Sequence, residues 1–361
     1  MAQFDIENQD GDARAGTFKV NEREAKTPFF MPVATNAGVK TLISEDLQKL
    51  GVEVIISNMY HLLIKTGVDI IEQGGGLHKF MNWDGIIFTD SGGFQMIRNG
   101  FDQDFSEEGV KFRSDYDGSL HELTPKENIQ IQKRMGSDIA ICLDYFPPYP
   151  AEEELLIESL ERTSKWAKRC RDTGDNIFGI SQGGTDPGLR ERSCREIKEI
   201  GFDGYALGGL SIGEPTETMY EMIEIGNRIY PEDKPRYVMG LGSPVEMLES
   251  IDRGMDIFDS AYPTRNARHN TLFTKDGRIN IQKSKFKTDY TPIDEECSCP
   301  ICKNYTKAYI HHLSKAEELA WMRMTSIHNL HFILQLVRDA REAILEQRFK
   351  QFKNNFIKRY Q

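Results

Sequence analysis

The 361 residues, 39% hydrophobic and 28% charged, can bury a large core, and their number suits either two ordinary domains or one barrel. A net charge of −11 excludes a surface that is basic throughout, as a protein coating nucleic acid would carry, while leaving room for a local basic patch. Residues 1–11 lack a basic stretch followed by an apolar run, and no segment approaches the roughly 20 apolar residues of a membrane helix. The expectation is a cytoplasmic globular protein.

In chain order, residues 4–20 read as a hairpin across Asp10-Gly11. Eight short β-rich apolar runs follow, at 29–33, 52–57, 85–89, 138–143, 177–181, 205–207, 237–241 and 255–258. Each leads into a polar or glycine-rich break and then a helix-like stretch, such as 152–170, 187–200, 216–230 and 244–253. A polar insertion, 101–123, turns at Asp117-Gly118. Beyond the last run, 265–329 carries basic residues and a cysteine cluster, and 332–360 reads as a closing helical segment.

Eight βα units in series predict an α/β fold of the TIM (β/α)8 type, since a doubly wound open sheet usually has fewer. The expected organisation is one catalytic barrel domain over 1–361, with a 1–26 hairpin, the 101–123 insertion and an embedded metal-binding subdomain at 270–330. Active sites of such barrels lie at the carboxyl ends of the strands. There the sequence places Asp90, Ser91, Asp144, Gln182, Gly208, Gly209, Gly240, Gly242 and Asp259.

Of the six cysteines, Cys142, Cys170 and Cys194 are isolated, whereas Cys297, Cys299 and Cys302 crowd into six positions, a pattern of metal ligation rather than disulfides. A tetrahedral zinc needs one more ligand. His328, on the helix-like stretch 316–330, is preferred, and His311, His312 and His331 compete on spacing alone. Four protein ligands leave no position for water, so the expected role is structural.

The run Phe88-Thr-Asp-Ser-Gly-Gly-Phe-Gln95 ends a strand on an acid followed by small residues that let a ligand lie against the backbone. A second acid, Asp259, ends the last run shortly before Arg265 and Arg268. Two such carboxyls suit glycosyl transfer, one attacking the anomeric carbon while the other handles the proton. The bland alternatives are a helix cap for Asp90 and a salt bridge to Arg265 or Arg268 for Asp259. Asp256 suits a structural role better.

Taken with Phe178-Gly-Ile-Ser-Gln-Gly-Gly184, Gly208-Gly-Leu-Ser-Ile-Gly-Glu214, Met239-Gly-Leu-Gly242, the stretch 258–268 and Ser326-Ile-His-Asn-Leu330, these segments resemble the bacterial-type tRNA-guanine transglycosylases over nearly the whole chain. The resemblance implies an enzyme of queuosine biosynthesis. It would exchange the wobble guanine of a tRNA anticodon for a 7-deazaguanine, with Asp259 as nucleophile toward ribose C1′ and Asp90 as general acid/base. It further implies a base pocket of Asp90, Ser91, Gly92, Gly93, Phe94, Asp144, Gln182, Gly208, Gly209, Leu210 and Met239. RNA contacts are implied at Gly240, Leu241, Gly242, Ser243, Pro244, Val245 and Glu246, and at Thr264, Arg265, Asn266, Ala267 and Arg268. A homodimer is implied through Phe80, Tyr305, Tyr309 and His312, with one structural Zn2+ per chain on Cys297, Cys299, Cys302 and His328.

Glu214 resembles the acid that, with the Leu210 peptide, adapts the pocket to guanine or to an aminomethyl-bearing base. Two departures stand out. Tyr145-Phe146 replaces the Glu-Cys common in bacterial members, and Ile212 stands where a valine is usual and queuine-using eukaryotic enzymes have glycine. The branched Ile212 favours pre-queuosine-1 over queuine.

Seven cations, Arg265, Arg268, Lys275, Arg278, Lys283, Lys285 and Lys287, face one acid, Asp276, between 265 and 287, a local patch suited to anticodon phosphates. A metal-dependent amidohydrolase is set aside because Pro32-Val-Ala-Thr-Asn36 has no His-x-His. A glycoside hydrolase would have no use for Asp144 with Gln182 as a base clamp. A non-catalytic tRNA-binding partner subunit and a DNA-directed transglycosylase remain as alternatives.

Overall fold

In this computed structural model, which describes residues 1–99 and 101–360, the chain opens with the antiparallel strands β1 (Gln3–Asp10), β2 (Ala13–Val20) and β3 (Arg23–Thr27). The expected hairpin gains a third strand because Asn21, left-handed at φ 55°, turns the chain back a second time. The first barrel strands are β4 (Phe29–Pro32), β5 (Val54–Asn58) and β6 (Ile86–Asp90). The insertion follows as its own antiparallel sheet, β7 (Phe101–Phe105), β8 (Val110–Arg113) and β9 (Leu120–Leu123), with Asp117-Gly118 between the last two. The barrel resumes with β10 (Ile139–Ile141), β11 (Ile177–Ser181), β12 (Gly204–Leu207), β13 (Arg236–Val238) and β14 (Ile257–Ser260). A two-stranded ribbon, β15 (Thr271–Thr274) and β16 (Gly277–Asn280), comes last.

All eight expected runs are strands. They lie parallel in the order β4, β14, β13, β12, β11, β10, β6, β5, and the sheet closes through the parallel bridge Val33↔Ile56 and the bond from Ala34 N to Ile56 O at 2.7 Å. The α/β TIM-type barrel is therefore the fold. Among the helices between the strands, Pro187–Ile200 begins behind Asp186, whose carboxylate accepts from Leu189 N at 2.8 Å, with proline in its first turn.

Side chains alternate along each strand, so one set fills the lumen and the other packs against the helices. Val54 and Ile56, Ile86 and Phe88, Ile139 and Ile141, Ile180, Ala206, Tyr237 and Ile257 form the lumen core, while Ile55, Ile87 and Phe258 face outward. At the amino end the N-terminal sheet plugs the barrel, with Phe18 against Phe88 and Phe178 at 6.0 Å between ring centroids. The other end is left for polar residues.

One boundary differs from expectation. Residues 316–330 and 332–360 were to be separate helices, but a single 26-residue helix, Ala320–Leu345, spans the divide, and Phe349–Tyr360 follows it. Nothing between Asn329 and Phe332 breaks a helix; the break comes instead at Gln347, which is left-handed at φ 56°.

Asp256, fully buried just before β14, accepts from Arg14 Nε at 3.1 Å and from Arg236 N at 2.7 Å, and so ties β2 to the barrel floor. Arg14→Met should cost about 3–5 kcal/mol in urea unfolding, because it strands a buried carboxylate. A loss below about 1 kcal/mol would contradict this role.

Candidate active site

Lumen alternation carries past the last apolar residue of each strand into a polar layer. Ile56 leads to Asn58, Phe88 to Asp90, Ile180 to Gln182, Ala206 to Gly208, Tyr237 to Met239 and Ile257 to Asp259, each two residues on and so on the same face. Above this layer opens a cavity of about 780 Å³ lined by Asp90, Asp144 and Asp259, with Phe94, Gly208, Gly209, Leu210 and Met239 around them. The two proposed catalytic acids, 169 positions apart in sequence, thus share one chamber.

Each acid is held differently. Asn58 Nδ2, across the β5–β6 pair, donates to Asp90 Oδ2 at 2.8 Å. Burial, followed by repulsion from Asp144 and Asp259, pushes Asp90 up to about 7. Asp259 Oδ1 accepts from Gly240 N at 2.8 Å and from the Tyr237 hydroxyl, leaving Oδ2 without a protein donor among the described residues. Burial still raises the Asp259 carboxyl against these two bonds. No ion pair joins Asp259 to Arg265 or Arg268 among the described residues, so its anion is supported by a phenol and an amide rather than by the nearby cations. Burial and the Asp259 charge keep the Tyr237 phenol protonated, hence a donor.

Asp144 is pushed up to about 6 by burial, opposed by Gln182, whose Nε2 donates to Oδ2 at 2.6 Å. Gln182 Oε1 is buried without a partner, a vacant acceptor behind the pocket. The glycines make this closeness possible. A Cβ on Gly93 would stand 2.6 Å from the Asp144 carboxylate, and one on Gly209, at φ 71°, would stand 2.7 Å from Gln182 Oε1. Gly92 is packed on Tyr60 and Gly208 on Gln182 in the same way. Ser91, Gly92, Gly93 and Gln182 therefore stand behind the wall rather than in it; Ser91 Oγ accepts from Gly93 N at 3.5 Å.

Of the two aromatic departures only Phe146 lines the cavity, edge-on to Phe94 at 5.0 Å. Tyr145 turns away, against Phe105 and under Arg162. Ile212 reaches the cavity edge.

A second depression of about 750 Å³ adjoins the first, sharing Ser211, Gly240 and Ser260, and is lined by Gly242, Ser243, Pro244, Val245, Glu246 and Arg278. Leu241, Thr264 and Ala267 are buried and offer RNA no side chain, and Asn266 Nδ2 is bound to Tyr262 O at 2.9 Å. Arg265 is exposed at the cavity mouth, and Arg268 Nε lacks a partner.

At the far side of the ribbon, ligand atoms of Cys297, Cys299, Cys302 and His328 lie within 4.8 Å of one another. His328 Nδ1 stands 3.7, 3.6 and 3.3 Å from the three sulfurs, close to the edge of about 3.6 Å in a tetrahedron built from ordinary zinc bonds. Its Nε2 donates to Phe273 O at 2.7 Å, which fixes the tautomer that leaves Nδ1 free. The cluster can hold a metal ion. His311 is bound to Ile281 O, and His312 is exposed away from it.

A family profile described as queuine tRNA-ribosyltransferase matches residues 9–361. The chain belongs to that family. A queuine tRNA-ribosyltransferase of Fusobacterium nucleatum subsp. nucleatum is 48% identical over 365 residues, covering 99% of this chain and 98% of its own. Those of Desulforamulus reducens and of Staphylococcus aureus strain RF122 are 47% and 48% identical over 96% of this chain and 95% and 93% of their own.

For a member of this family, the sequence reading passed over Asn58, His61 and Tyr237, which line the chamber beside the two acids. Extending the strand alternation by one more step would have found Asn58.

The raised Asp90 carboxyl has a cost. Below about pH 4 it is neutral in folded and unfolded chains alike; between about 4 and 7 only the unfolded chain ionises, so stability falls as pH rises and levels off above 7. Asp90→Asn should therefore be more stable than wild type at pH 8, by as much as about 4 kcal/mol, and should converge with it near pH 4. Thermal melts at both pH values check this; a variant melting below wild type at pH 8 would contradict it.

Proposed function

We propose that this chain exchanges guanine at the wobble position of a tRNA anticodon for a 7-deazaguanine, as a pentosyltransferase of queuosine biosynthesis. The observation that carries this is the single chamber holding Asp90, Asp144 and Asp259. Asp259 Oδ2, the oxygen without a protein donor, attacks ribose C1′; the C1′–N9 pair leaves with guanine, and Asp90 gives the departing base its proton. The incoming base loses its N9 proton to Asp90 and attacks C1′, which releases Asp259. A proton carrier poised near 7 serves both halves, whereas the nucleophile keeps two donors that favour its anion.

Asp144, as an anion, accepts from the N1 and exocyclic amine donors of a purine-like edge, next to Gln182 and the Gly209 backbone. The Leu210–Ser211 peptide turns its N–H to Glu214, which also accepts from Ile212 N at 2.9 Å. The Leu210 carbonyl, antiparallel to that N–H across a trans peptide, points away from Glu214 and is proposed to accept from an ammonium arm. Pre-queuosine-1 is the base this favours, with Ile212 narrowing the edge against the bulkier queuine.

The cysteine cluster is proposed as a structural zinc site. Zinc there joins the 297–302 loop to the helix carrying His328, and with four protein ligands it takes no part in the chemistry. Arg265, Arg268 and Arg278 are proposed to meet anticodon phosphates, with Gly240 to Glu246 beside them. A homodimer is proposed through Phe80, Tyr305, Tyr309 and His312. Phe80, Tyr305 and Tyr309 are 45%, 41% and 45% exposed, and the two tyrosines stack at 5.6 Å. Tyr305 precedes the helix Lys307–Lys315 rather than lying on it. No helix among the described residues is long and apolar enough to cross a membrane, and the proposed location is the cytoplasm.

Labelled guanine offered with separate tRNA and DNA pools should enter tRNA alone, and pre-queuosine-1 should outcompete its nitrile precursor and queuine. On denaturing gels wild type should show a protein–RNA adduct that Asp259→Ala lacks. Label in DNA, label in neither pool, or an adduct persisting in Asp259→Ala would each contradict the proposal.

A further inference from the structure

The metal cluster has one unsealed side. Cys299, Cys302 and His328 are 0%, 8% and 0% exposed, but Cys297 is only half-buried. It borders a cavity of about 680 Å³ between the cysteine loop and the helices Ala320–Leu345 and Phe349–Tyr360, walled by Phe332, Leu336, Phe352 and Phe356. The same opening is lined by His331, one turn beyond His328 on the same helix face. Its Nδ1 lies 3.7 Å from Cys297 Sγ, and its Nε2 lies 3.3 Å from Ser298 Oγ. The ligand set already has its imidazole in His328, so this second ring stands outside it. Its placement is that of an outer-shell donor: the Ser298 hydroxyl donates to Nε2, and Nδ1–H donates to the sulfur.

Three thiolates and a neutral imidazole around a dication leave a net negative charge, which makes the sulfurs nucleophilic. A hydrogen bond to one of them draws electron density off it. We propose that Cys297 is the reactive thiolate of the metal site toward soft electrophiles entering through this cavity, and that His331 is a positioning residue that restrains it. The proposal rests on the zinc reading of the cluster. With iodoacetamide, the sulfur lone pair forms an S–C bond, the C–I bond breaks and iodide leaves; the resulting thioether is a poor zinc ligand and the ion is released.

The full-length protein, its metal content first fixed by elemental analysis, is treated with iodoacetamide. Alkylated cysteines are mapped by peptide mass spectrometry over time, and freed zinc is read with a chromophoric chelator. Cys297 should react ahead of Cys299 and Cys302, with zinc release in step. His331→Ala should raise the Cys297 rate on the order of 10-fold, and His331→Gln, whose amide can donate again, should fall between. With cobalt(II) in place of zinc, His331→Ala should shift the sulfur-to-metal charge-transfer band while the ligand-field bands keep their tetrahedral intensity. Equal alkylation rates in wild type and His331→Ala, or first attack at Cys302, would overturn the proposal. Finding no metal at the outset would remove the zinc reading, and the proposal with it.

Discussion

Three carboxyl groups gathered in one chamber, Asp144 buried and Asp90 and Asp259 half-buried, are the constraint on which the rest of this structure depends. Asp90, Asp144 and Asp259 cannot all ionise freely when taken from water into an apolar-walled cavity. The protein distributes the difficulty unevenly. Asp259 receives the Gly240 amide and the Tyr237 phenol, Asp144 receives Gln182, and Asp90 receives Asn58 and the Gly92 amide but faces the charges of both neighbours. The outcome is a division of labour in which Asp90 is the group left near neutrality.

That arrangement needs a scaffold rigid enough to hold repelling groups together, and the closed barrel provides it. Asp90 and Asn58 are register partners on adjacent strands, and Asp259 pairs with Met31 on the neighbouring β4. The opposite end is plugged by aromatic packing around Phe18 and pinned by the buried Arg14–Asp256 pair. The stabilising interactions thus gather at the amino end, and the costly ones at the carboxyl end.

Much of this was legible in the sequence, because the barrel repeats one pattern eight times and the acids end two of its strands. The cysteine spacing marked the metal cluster, and His328 stands among the sulfurs as preferred. Other features were not legible, for physical reasons. Asn21 and Gln347 redirect the chain by single left-handed residues that carry no periodic signal. Tyr237 appeared only as a strand residue, since its bond to Asp259 depends on the offset between β13 and β14. Proximity in sequence does not decide contact: Arg265 and Arg268 lie near Asp259 along the chain, yet Tyr237 and the Gly240 amide support it. Likewise Tyr145 and Phe146 are adjacent but face opposite ways, and only one shapes the pocket.

The division among the three acids can be observed without substrate. Infrared difference spectra of the protein carrying 13C-labelled aspartate side chains, recorded from pH 5 to 9, report protonated carboxyl groups directly. The account predicts a carboxyl band titrating at about 7 that is absent from Asp90→Asn. A spectrum in which no aspartate holds a proton above about pH 5 would contradict it, because the chamber would then hold three ordinary carboxylates.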